Sequence, residues 1–440
     1  MAVFLPYYAA ALALLYLELR GARPRAIALP RLSPAIWTGV LLLAFAGQLA
    51  CFWHAAQAAA RAEPWRAALP IGVAVANVPH AQLVAGTLLA LALVQSFALL
   101  ALHRAPPSRG LVVAGSAALF ALALAAPAFV SPDPYAYVGD ALLGVRSYAP
   151  PAQPFAGAFG LVNRLFGAPM LPSPYGPLWT ACATLVTAAF GSLLGKLFAL
   201  RLFGLGCVLA LLAALRAFGV PRRVVALVAL NPAIALEYVA GAHNDALGLA
   251  ALAVAAVLVR RSAVLASATI AIAGLVKLPF VVLGLPLLAA IEPRARRYAC
   301  AISAAVVALG VSWWSGGAAY FGGLAVHVPV PGPAYPLNVA VAFFALCAIG
   351  IAFLGGPRLR SALWLIAMAS SYVATWYLFY GAPYALARRR LFAYLAIALP
   401  FADALLDAKF MQWWTSAIVL PLVVACSFTL ARRRPRPRIA

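Results

Sequence analysis

Only nine acidic residues stand in this chain of 440, and where they fall confines the chemistry it can do. Glu18, Glu63 and Glu292 lie beside arginines and read as solvated partners at the ends of apolar segments. Asp133 and Asp140 lie in Ser-Pro-Asp-Pro-Tyr-Ala-Tyr-Val-Gly-Asp (131–140), Glu237 and Asp245 flank the turn Gly-Ala-His-Asn-Asp (241–245), and Asp403 and Asp407 are one helical turn apart. Lys277 interrupts an apolar stretch as Gly-Leu-Val-Lys-Leu-Pro (274–279), where Pro279 breaks the helix. A carboxylate that takes a proton from a hydroxyl, and fixed positive charge facing a departing phosphate, are what group transfer from a phosphate ester needs. Asp133, Asp140 and Glu237 are carboxylates that could serve as that base. Lys277 and His243 are the candidate phosphate ligands, and Asn244 and Asp245 would hold a sugar or position the histidine.

Each of these residues also has a plainer reading. Asp133 suits a proline-bracketed turn with a solvated carboxylate. His243 suits a turn ahead of a helix that Asn244 or Asp245 would cap. Lys277 suits a lysine snorkelling to headgroups. Tyr135, Tyr137, Tyr175, Trp179, Trp376 and Tyr377 would either stack on a sugar or line the membrane interface.

The elements that must position these side chains are membrane helices. The chain is 66% hydrophobic and 9% charged, with a mean hydropathy of +0.99. A soluble domain carries about a quarter charged residues. Apolar stretches of roughly 20 residues recur along the chain, enough for about 14 crossings, and alternating barrel strands are missing. The fold class is therefore an all-α integral membrane protein, a multi-helix bundle forming one domain over 1–440. The formal charge of +23 sits in short loops between apolar segments, which favours membrane lipids over nucleic acid as the partner. Six cysteines lie mostly in apolar segments without CxxC spacing, arguing against a disulfide framework or a zinc site.

Arginines orient the spans. Arg216, Arg222 and Arg223, then Arg260 and Arg261, then Arg294, Arg296 and Arg297 go inside, with the tail from Arg432 to Arg438. Residues 131–196, 241–244 and the surroundings of 277 then face outward. Within 131–196, residues 175–193 are apolar enough to cross, but a crossing there would put Arg216, Arg222 and Arg223 outside. We therefore expect 176–192 to be a surface helix entered at Pro177, a favoured first helical position. Asp140 follows Asp133 by seven residues, so a helix would set both on one face about two turns apart, with room for only one at a reacting hydroxyl.

These motifs resemble a known family. Asp133-Pro-Tyr135-Ala-Tyr137, followed by Ser-Pro-Tyr-Gly-Pro-Leu-Trp (173–179), is similar to the first outer loop of GT-C glycosyltransferases. Together with Asn-Pro (231–232), the 241–245 and 274–279 motifs and Thr-Trp-Tyr (375–377), the set resembles the polyprenyl-phosphomannose-dependent α-(1→6)-mannosyltransferases of bacterial lipoglycan assembly, the MptA/MptB type. Where that family usually shows Gln-Pro-Trp-Tyr, this chain has Ala-Thr-Trp-Tyr (374–377).

The resemblance implies a GT-C-like bundle whose first outer loop carries the catalytic aspartate, a role that falls on Asp133, followed by a surface helix. It implies a polyprenyl-phosphate sugar as donor, a glycan or glycolipid as acceptor, and an active site on the outer face of a bacterial cytoplasmic membrane. The expected reaction is inverting transfer of a hexose, mannose first. No cofactor is required by this arrangement, while a carboxylate-bound divalent cation stays open. A flippase or transporter of a lipid-linked substrate is the rival; it predicts polar groups at the bilayer midplane and repeat symmetry. The polar groups here concentrate at one face instead.

Overall fold

A computed structural model of the chain describes residues 30–62, parts of 90–102, 105–126, 133–152, 155–166 and 170–326, together with 23–24 and 431–432. The regular elements are helical apart from a two-residue antiparallel bridge pairing Arg23 with Arg432 and Pro24 with Ala431. That bridge joins the start of the chain to its basic tail.

Helix α1 (Pro34–Ala62) is followed by α2 (Arg109–Ala125), which starts where the Ser108 side chain accepts the Leu111 amide. The segment 131–196 contributes α3 (Asp133–Leu143), continued by a 3₁₀ turn Gly144–Tyr148, then α4 (Gly160–Phe166) and α5 (Pro177–Thr187). Pro177 opens α5 at its first position, as expected from the sequence. The helix α6 (Leu193–Ala217) is capped by Ser192 at its start. It stops at Gly219, whose φ of 86° lets the Val220 amide turn back to the Leu215 carbonyl at 3.0 Å.

The next helices run back and forth across the bundle. They are α7 (Arg222–Ala229), α8 (Pro232–Ile234, continued as a π-helix Ala235–Ala240), α9 (Asp245–Leu258), α10 (Ala263–Val276), α11 (Pro279–Gly284, continued as 3₁₀ over Leu285–Ala290) and α12 (Arg294–Val326). A non-helical Gly317, φ 54°, kinks α12.

Among the described residues, three helices are long and apolar enough to cross a membrane, with windows at Pro34–Cys51, Leu193–Ala217 and Arg294–Leu324; α7 and α8, bent by 51° at Asn231, make a fourth if taken as one span. At 25 residues α6 is about 37 Å long and clears a hydrocarbon core of about 30 Å. The 11 residues of α5 reach only about 16 Å, too short to cross, in keeping with the arginine argument. The other expected crossings fall on helices of 10–17 residues or outside the described residues.

One apolar core runs through the bundle, from Leu41 and Phe45 on α1 through Leu119 on α2 and Val208 on α6 to Ile270 on α10. A second, formed by α3 and α5 against α6 and the end of α10, is built from Tyr135, Tyr137, Val138, Trp179, Leu197 and Val276. Gly204 on α6 lets the Tyr238 carbonyl come so close that a Cβ there would collide with it, and this draws the π-helix against α6.

With α7 and α8 counted as one bent pair, short connections turn the chain back between successive helices from α6 to α12, which gives the bundle two different ends. At one, Arg260 donates to the Phe218 carbonyl at 3.2 Å and lies over the Phe218 ring, beside Arg216 and Arg222 in the chain. At the other, the Gly176 amide donates to the Val276 carbonyl at 2.8 Å, bringing the start of α5 to the α10–α11 break.

Candidate active site

The site grows from α3, whose helical period sets Asp133, Tyr137 and Asp140 on one face. Asp133 is partly exposed at the first position of the helix. Tyr137 is buried, packed edge-on against Tyr175 at 5.2 Å and Trp179 at 4.9 Å between ring centres. Its hydroxyl shares hydrogen bonds with the Tyr175 side chain and the Asn244 backbone, and the charges of both Asp133 and Asp245 act on it. Burial first, then those two carboxylates, pushes this phenol well up, so it stays protonated.

Opposite α3 stands the tight turn 241–245. Asn231 starts α8 by accepting the Ala233 amide at 2.9 Å, and Pro232 takes the first helical position. The helix then widens into the π form, a feature concentrated at functional sites. Ala242 adopts φ 48°, the left-handed region that a residue with a Cβ seldom enters. This lets the His243 amide return to the Glu237 carbonyl at 3.2 Å and starts α9 at Asp245. Neither side-chain amide atom of the buried Asn244 has a hydrogen-bond partner among the described residues.

Lys277 arrives from a third direction. It is the extended residue that ends α10, φ −160°, ψ 121°, and Pro279 restarts the chain as α11. Its ammonium lies 3.3 Å from Asp245 Oδ1 and 5.8 Å from the centre of the Tyr175 ring, and its side chain is 15% exposed. The result is a cluster with one accessible carboxylate, one accessible ammonium, a buried counter-charge and a half-buried aromatic face. Two of its charges, Asp133 and Lys277, can be reached from outside the fold.

The comparison with known families decides whose site this is. Residues 37–293 match the MptA/MptB family, described as "Alpha-(1->6)-mannopyranosyltransferase, N-terminal domain". The chain belongs to this mannosyltransferase family. Comparison with curated proteins and with solved structures returned no match. Every residue of the cluster just described, from Asp133 to Lys277, lies inside the matched region of the mannosyltransferase.

Of the residues singled out from the sequence, the fold brings together Asp133, Tyr137, Tyr175, Glu237, His243, Asn244, Asp245 and Lys277. Two of them take surroundings other than those expected. Tyr135, read as a sugar-stacking candidate, is fully buried on the other side of α3, because two residues along a helix is more than half a turn. His243, read as positive charge for a phosphate, is sealed in the protein with its Nε2 4.0 Å from Glu237 Oε2. Burial holds its pKa down to about 3, with Lys277 adding in the same direction and Asp245 opposing, so the ring is neutral at pH 7. Asp140 belongs to a separate place on α3: it is completely buried, and Ser173 Oγ donates to its Oδ2 at 3.0 Å. Trp376 and Tyr377 lie outside the described residues.

Two cations of the mannosyltransferase escaped the sequence reading. Lys196, near the start of α6, is buried and donates to the Thr187 carbonyl at 2.8 Å. Arg201 donates through Nη1 to the carbonyls of Ala126 at 2.6 Å and Leu124 at 3.3 Å. Their signal was available, since an ionisable residue within a long apolar stretch is costly and rarely idle. Among the described residues no cluster of three or more His, Cys, Asp and Glu side chains is arranged to hold a metal.

Proposed function

We propose that this mannosyltransferase takes mannose from a polyprenyl-phosphate donor, at the outer face of a cytoplasmic membrane, and passes it with inversion to a glycan or glycolipid hydroxyl. The observation that carries the reading is the convergence of an accessible carboxylate, Asp133, and an accessible ammonium, Lys277, on one buried hub, Tyr137 with Asp245. A lipid-phosphate donor suits a site at the end of the bundle away from Arg216, Arg260 and Arg294, where a lipid chain can stay in the bilayer while its phosphate meets Lys277.

In this reading Asp133 takes the proton of the acceptor hydroxyl as its oxygen bonds to the anomeric carbon. The bond from that carbon to the phosphate oxygen breaks on the opposite face, and the polyprenyl phosphate leaves with the bonding pair. A β-linked donor thus gives an α-mannoside. The geometry is that of an inverting glycosidase, with a sugar hydroxyl in place of water. Lys277 exchanges part of its contact with Asp245 for the phosphate, Tyr175 offers its half-buried face to the sugar, and neutral His243 with Glu237 braces the turn. Asp133 and Asp245, both acting on Tyr137, are the carboxylates a divalent cation would use.

The test is transfer by the purified protein from labelled polyprenyl-phosphomannose, with GDP-mannose as the competing donor and an α-mannoside acceptor. Transfer from the lipid donor to an α-mannosidase-sensitive product is expected. Use of GDP-mannose alone, or a β-linked product, overturns the reading.

A further inference from the structure

Besides Arg216 in its last turn, helix α6 carries two cations, and each is spent on the carbonyl end of another helix. Lys196 holds the end of α5 through the Thr187 carbonyl, and Arg201 holds the end of α2 through Leu124 and Ala126. The last carbonyls of a helix lack intrahelical partners and carry its partial negative charge, so a buried cation there is both a cap and a tether. The two tethers fall on either side of α3 in the chain: α2 precedes it and α5 follows it.

Arg201 acts on the chain on both sides of Asp133. Residues 127–132 join the carbonyls it holds to Asp133. Two residues beyond Asp133, the buried Tyr135 phenol is acted on by the Arg201 charge, which opposes the upward push of burial. The Tyr135 hydroxyl and Arg201 Nε are each buried without a hydrogen-bond partner among the described residues. The guanidinium therefore sits between the end of α2 and the underside of α3, with Asp133 on the connection it brackets.

We propose that Arg201 is a positioning residue for Asp133, tying α2 and α3 to α6 so that the carboxylate is presented at the cluster, and that Lys196 does the same for α5. The inference rests on Asp133 being the base, but its central test does not. Both carbonyls are held by the two protons of one nitrogen, Nη1, at the tip of a planar side chain; a lysine ammonium reaches one bond less far and keeps only part of the contact.

The test uses the full chain in membranes, with its six cysteines replaced and Asp133→Cys as a reporter for a membrane-impermeant thiol reagent. Arg201→Gln should change the modification rate of the reporter by about tenfold, and Arg201→Lys by roughly threefold, because one contact survives. In the chain that keeps Asp133, Arg201→Gln should lower kcat by about ten- to a hundredfold with donor KM unchanged, and Arg201→Lys should recover part of it. A reporter rate within twofold of the parent in Arg201→Gln overturns the proposal. If that variant does not accumulate, Arg201→Lys decides alone, and parental reactivity there overturns it. Were Asp133→Asn to prove active, the base assignment would fall while the reporter rate still read the tether.

Discussion

Two carboxylates share one face of α3, and their surroundings could hardly differ more. Around Asp133 the protein is partly open, and its charge acts on Tyr137, which the Asp245 paired with Lys277 also reaches. Around Asp140 it is closed: the side chain is fully buried, Ser173 supplies one hydrogen bond, and Oδ1 has no partner among the described residues. Burial lifts the Asp140 carboxyl to about 7, with Asp133 adding to the rise and Ser173 opposing it. A base must be ionised and reachable, whereas a carboxyl that is half-protonated and sealed serves packing. Two turns of helix separate the functions.

The largest expected effect breaks the pair at its open end. Asp133→Asn keeps the shape and removes the proton acceptor, so transfer should fall by about 10²–10⁴-fold while donor binding persists. Asp140→Asn preserves an acceptor for Ser173 and should leave turnover within about fivefold. Parallel transfer assays on the two purified variants check the contrast, and a dead Asp140→Asn beside an active Asp133→Asn would invert it.

Next in size comes the cation. Lys277→Ala removes the ammonium and leaves Asp245 buried with its nearest positive charge gone. Donor use should weaken by about ten- to a hundredfold, the worth of a charged hydrogen bond. Lys277→Arg should restore part of it. Donor titration of both variants separates a phosphate ligand from a headgroup anchor, for which Lys277→Ala would bind donor as the parent does.

Much of this contrast was legible in the sequence, for identifiable reasons. Prolines announced the start of α5 at Pro177 and the break after Lys277 at Pro279, because a missing amide is tolerated only at such positions. The seven-residue spacing placed Asp133 and Asp140 on one face once α3 proved helical. Burial was not legible. Nothing in the 241–245 motif says that the His243 side chain is sealed and neutral, since that depends on α8 widening into a π-helix beside it. Tyr135 and Tyr137 look alike until the helix turns them apart. Lys196 and Arg201 were averaged into their apolar surroundings, although their cost in such a segment was the clue.

The smallest effects appear in stability rather than rate, and they run in opposite directions. An acid raised from its ordinary value of about 4 to about 7 binds its proton more tightly in the folded state, so Asp140 stabilises the fold at low pH and loses that contribution as pH rises through about 7. A histidine lowered from about 6.5 to about 3 does the reverse: the unfolded chain binds the proton more tightly, so His243 costs stability as pH falls below about 6.5. Over about pH 4–6.5 the two slopes oppose each other, and the parent protein should show a Tm in detergent that changes little from these groups. Asp140→Asn removes one slope and leaves the other, so its Tm should drop on acidification from pH 7 to 5. His243→Gln, which keeps a neutral polar side chain in the turn, should drop instead as pH rises from 5 to 7. If both variants keep the pH profile of the parent, the two pockets are wetter than their burial implies, and the distinction between the open and sealed ends of α3 loses its electrostatic basis.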